Sequence, residues 1–108
     1  MVLDASALLA LLHNEKGADK VEEAILNKAI ISTVNWSEVI QKAIVRNISI
    51  DDLDRELAVL GLSFFSFDIQ QARIAGSLWQ QTKELGLSLG DRACLALAIH
   101  LDFASFNR

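Results

Sequence analysis

A chain of 108 residues has room for one domain with a single thin core, so residues 1–108 read as one unit and not as two. With 52% hydrophobic and only 22% charged residues it is no disordered tail, and a net charge of −4 leaves no basic footprint, so any nucleic-acid contact needs a local patch or a bridging metal. No apolar run approaches the roughly 18 residues that cross a bilayer, and the N-terminus lacks a secretory pattern, which together predict a cytoplasmic protein without membrane attachment.

In chain order, Val2-Leu3 predicts a short strand that ends on Asp4, followed by a helix from Ala5 to Leu12. Asn14 to Gly17 breaks the pattern, and Ala18–Leu26 is amphipathic, with Val21, Ala24 and Ile25 on one side and Asp19, Glu22 and Glu23 on the other. Ala29–Val34 is β-branched and reads as the second strand. Asn35 and Glu38 have the spacing of a capping box and open the next helix, whose apolar positions are Val39, Ile40, Ala43 and Ile44. Ser49 is placed to cap a further helix from Asp51 to Leu60, which Gly61 ends.

Leu62–Phe67 predicts a third strand, and Asp68 caps a helix running to about Leu85. Leu87–His100 then begins with a polar turn and continues as an apolar run from Ala93, the pattern of a largely buried helix. Phe103–Phe106 is the candidate for a fourth strand. Strands alternating with helices predict an α/β fold: a three-layer sandwich with a mostly parallel central sheet of about four strands and helices on both faces.

The acids stand at telling positions. Asp4 lies at the exit of the first strand, Glu38 in the helix after the second, and Asp91 in the first turn of the apolar helix. Exits of parallel strands share one edge, where such folds place their ligand sites. Three carboxylates gathered there repel unless a cation lies between them, and all-oxygen ligands favour magnesium or manganese. Each acid also has a local reading as a helix cap: Glu38 with Asn35, Asp91 with Ser88, and Asp4 ahead of the first helix.

Asp4-Ala5-Ser6-Ala7-Leu8, Asn35-Trp36-Ser37-Glu38-Val39 and Leu89-Gly90-Asp91-Arg92-Ala93-Cys94-Leu95-Ala96-Leu97-Ala98 resemble, in order and spacing, the three acidic motifs of PIN-domain proteins. The likeness is greatest to the VapC-type toxin ribonucleases of toxin–antitoxin pairs. It implies a Mg²⁺- or Mn²⁺-dependent endoribonuclease with Asp4, Glu38 and Asp91 as catalytic and metal-site acids, a homodimer, and inhibition by a VapB-type antitoxin. By the same resemblance Ser6 helps position the attacking water; its local alternative is a cap on the first helix. The family carries a fourth acid after its last strand, where this chain has Asn107, an uncharged and weaker ligand, so the chain reads as a C-terminally short copy. Two functions follow: the ribonuclease, or a catalytically impaired module that pairs with an antitoxin or with itself. An aspartyl phosphotransfer site is disfavoured, because it needs a second acid where Ser6 stands.

The remaining polar and aromatic residues have plainer readings. Arg92 either reaches a scissile phosphate or is solvated in the first turn. His13 and His100 sit at helix ends and are assigned no catalysis, Trp36 and Trp79 read as core or interface, and Cys94 as a small core residue. The apolar stripes of the helices between Asp19 and Arg55 exceed what a small domain buries, so a partner is expected on one of them.

Overall fold

The computed structural model describes the backbone of residues 1–106 and side-chain surroundings through residue 102. The elements are β1 (Val2–Leu3), α1 (Ala5–Leu12), α2 (Ala18–Leu26), β2 (Ile30–Ser32), α3 (Thr33–Val45), α4 (Leu53–Leu60), β3 (Ser63–Phe65), α5 (Ile69–Thr82), a 3₁₀ turn at Lys83–Leu85 and α6 (Leu89–Phe106). The sheet is parallel with order β1-β2-β3, and Leu3, Ile31 and Phe64 share one row. Consecutive parallel strands in one direction require right-handed crossovers on one face, which are α1–α2 and α3–α4; α6 packs on β1 and β2 and most extensively on α5. This is the expected α/β architecture with one strand fewer.

Residues 103–106, expected as a fourth strand, continue α6. No proline or glycine interrupts the chain between Gly90 and Arg108, and a helix already propagating adds residues easily. His100 therefore lies within α6 and not at a helix end. Nor is α6 buried all round: Ala93, Ala96 and Leu97 are buried, whereas Leu95 and Ile99 are 43% and 44% exposed. An apolar run in sequence does not by itself make every face an inner face.

The core forms between the sheet and the crossover helices, with Leu3, Leu8, Leu9, Ile25, Ile31, Val39, Leu57 and Leu62 buried together. Trp36 closes it edge-on to Phe64, ring centroids 5.0 Å apart. Trp79 lies outside it, 54% exposed, with the Lys83 ammonium over its ring. Gly61 ends α4 with φ 125°, and a Cβ there would run into the Ile25 carbonyl, so α2 and α4 approach through a position only glycine can fill.

Caps set the element boundaries. Asp68 accepts from the Gln71 amide at 2.9 Å, as expected. Ser49 does not cap α4; the helix starts at Leu53 after Asp52 in a left-handed conformation. Among the described residues no helix is long and apolar enough to cross a membrane.

Candidate active site

Asp4 follows β1 directly and caps α1, its Oδ1 accepting from the Ala7 amide at 2.8 Å. The cap is therefore Asp4 itself and not Ser6, which stands exposed in the first turn. Asp91 belongs to a reciprocal box: the Ser88 amide donates to Asp91 Oδ2 at 3.0 Å and the Asp91 amide to Ser88 Oγ at 3.1 Å. Each carboxylate keeps an oxygen free of hydrogen bonds among the described residues, so capping fixes these side chains without using them up.

Glu38 sits differently. Ser32 caps α3, its Oγ accepting from the Val34 amide at 3.2 Å, so the helix begins at Thr33 and Glu38 falls in its second turn. The expected Asn35–Glu38 capping box does not form. Instead Asn35 shares the inward stripe with Val39 and Ala43, four residues apart, is 2% exposed, and donates from Nδ2 to the Gly90 carbonyl of α6 at 3.0 Å. Glu38, three residues on, lies against the same glycine: a Cβ at Gly90 would overlap its carboxylate and come within 2.7 Å of Cδ.

Thr33, Val34, Ser37, Glu38, Ser88, Leu89 and Gly90 line an open cavity of about 510 Å³ between α3 and the start of α6. Asp91 stands in the first turn of α6 one turn before Cys94, and Asp4 at the exit of β1, on which α6 packs. Burial pushes this half-buried thiol above its ordinary 9.0, and the Asp4 and Asp91 carboxylates, in that order, push it further. The β1 exit lies close against α6, which packs on that strand. Held protonated, the thiol is neither a nucleophile nor a competing soft ligand.

The structure thus places Asp4 at the exit of β1 against α6, Asp91 in the first turn of α6, and Glu38 against the neighbouring Gly90. It does not close the three into one cluster: among the described residues no three His, Cys, Asp or Glu side chains are close enough to hold an ion as they stand. None of the three acids has a basic partner within salt-bridge distance among the described residues. The donors nevertheless suit a hard divalent cation, being carboxylates with free oxygens at one sheet edge.

Arg92 is tied elsewhere. Its Nη1 donates to the Ala75 carbonyl of α5 at 2.8 Å, which neither reading from sequence foresaw. Asn107 lies outside the described residues.

Sequence reasoning missed Asn35 and Gly90 as parts of the site. The available signal was an amide at apolar spacing, four residues before Val39, which marks a buried polar group with a specific partner. A match to the PIN-domain family model spans residues 1–108, and no curated protein matches the chain. The protein belongs to the PIN-domain family, whose members are generally nucleases and typically use divalent metal ions.

Proposed function

We infer that the protein is a Mg²⁺- or Mn²⁺-dependent endoribonuclease of the VapC toxin type, hydrolysing RNA phosphodiester bonds in the cytoplasm. The observation that carries this reading is that α6, with Asp91 in its first turn, packs on β1, whose exit is Asp4, while Glu38 of α3 lies against Gly90 beside Asp91. Asp4, Asp91 and Glu38 would hold the cation. The chemistry such an ion supplies is acidification of the attacking water and neutralisation of charge on the phosphate. Asp4 and Asp91 are pre-aimed by their capping bonds, which removes part of the ordering cost at the moment of binding. Glu38, with no hydrogen bond to its carboxylate among the described residues, is the acid free to take a proton from the water. Ser37 and Ser88 present hydroxyls on the cavity wall to a phosphate or ribose, and Ser6 stands two residues from Asp4 to orient the water.

A partner belongs to this reading. Leu26, Val45, Val59 and Leu60, all 48% or more exposed, are apolar side chains of the kind a VapB-type antitoxin or a second copy in a homodimer would cover.

The test is cleavage of a fluorescent RNA with and without Mn²⁺. Asp4→Asn and Asp91→Asn keep a capping oxygen and so keep the fold, and each is expected to reduce cleavage more than about 100-fold, beyond what loss of an outer-shell partner causes. Undiminished cleavage in either variant would remove that residue from the site and the reading with it.

A further inference from the structure

The geometry points to Asn35 as a positioning residue: its buried amide binds the first turn of α6 to α3 and so fixes the spacing between Glu38 and Asp91. The inference rests on the nuclease reading of those two acids. Asn35 Nδ2 donates to the Gly90 carbonyl, one residue before Asp91, while Glu38 leans on the Gly90 Cα from one turn further along α3. The two contacts meet at a single residue, so the amide and the carboxylate are read against one point of α6.

Stability alone does not call for an amide here. Asn35 Oδ1 is buried and has no hydrogen-bond partner among the described residues, and the Gly90 carbonyl, in the first turn of a helix, also has the amide four residues on as its helical donor. Leucine has the same branching with bulkier methyls; it would remove the unpartnered oxygen and leave the helical bond in place, so its cost to folding is that of a modest overpacking. What it would remove is the only side-chain hydrogen bond joining α3 to α6 among the described residues. The amide's orientation is set by the same contact, because a flipped Oδ1 would face a carbonyl oxygen.

Asn35→Leu is therefore expected to remain folded, with a melt lowered by no more than a modest overpacking causes, while losing its site geometry. In the metal-free protein, the nuclear Overhauser contact between the Glu38 Hγ and Gly90 Hα protons should weaken at least about twofold. In the loaded protein, Mn²⁺ affinity by calorimetry should fall about 10-fold or more, the scale of an outer-shell loss. Asn35→Ser, too short to span the bond, should show the same pair of changes if the leucine variant does not fold. A wild-type Overhauser contact preserved at full strength in a folded variant overturns the role of Asn35. An absence of Mn²⁺ binding in the wild type overturns the metal reading instead, and the metal-free contact still decides on Asn35.

Discussion

Helix α6 is held along two seams, and they are built on different terms. Against α5 it makes its most extensive packing, with Ala75 buried on the α5 side and the Arg92 guanidinium donating to the Ala75 carbonyl. Against α3 the described ties are one amide, from Asn35, and one carboxylate, from Glu38, both converging on Gly90. The long seam gives adhesion spread over many weak contacts, so no one of them sets a distance. The short one contributes little adhesion, and it decides where Asp91 stands relative to Glu38.

The largest break in that contrast comes from Gly90→Ala. Gly90 has helical backbone, so alanine is acceptable there and gains up to about 1 kcal/mol in helix propensity. The atoms its methyl would displace are the far end of a flexible side chain, which can swing away at little cost in stability. Thermal stability is therefore expected to hold or rise while RNA cleavage falls by on the order of 100-fold, the effect of about 1 Å of misplacement in a catalytic group. A melt that drops with cleavage retained would make Gly90 a packing residue and erase the difference between the seams.

Arg92→Ala probes the other seam and should show the reverse. The variant loses a charge-assisted hydrogen bond to Ala75, but also a buried Nε that has no partner among the described residues, so the net destabilisation is about 1–2 kcal/mol, several degrees in the melt. Cleavage at a temperature where both proteins are folded should stay within about twofold of wild type. A 100-fold loss in this variant would instead mean that the guanidinium acts on the phosphate.

These two seams also mark how far the sequence could be read. Asp68 and Ser88 announced their caps, since capping is a local arrangement within four residues, and the β-branched run before Thr33 announced β2. Asp4 was legible as a candidate site acid because strand exits in a parallel sheet share an edge whatever the side chains do, and Asp91 because it opens a helix expected to pack against that edge. Asn35 was not, because a polar residue three before an acid has the local form of a cap, and only the true start at Ser32 shows that it points inward. The end of α6 misled for a related reason: Phe103 and Phe106 have strand propensity, but a helix continues until something stops it, and nothing there does. The exposure of Leu95 and Ile99 depends on which faces find neighbours, a tertiary fact with no local signal.

The smallest expected effect tests whether Asp4 truly joins Asp91 across the sheet edge. Burial first, then Asp4, then Asp91 raise the Cys94 thiol above 9.0. A folded value above the unfolded one means the thiol's contribution to stability is complete below about pH 9 and is lost as the pH rises through the folded value. Removing either negative charge lowers that value, so more thiolate is present at a given pH. Alkylation by iodoacetamide in the metal-free protein at about pH 8 should thus accelerate in both Asp4→Asn and Asp91→Asn, by less than about tenfold, the equivalent of one pKa unit. Asp4→Asn should have the larger effect, and Asp102→Asn, on an exposed residue not among the charges acting on the thiol, should have none. Unchanged rates in Asp4→Asn would separate β1 from the start of α6, and the crevice between α3 and α6 would then hold Glu38 and Asp91 without their third acid.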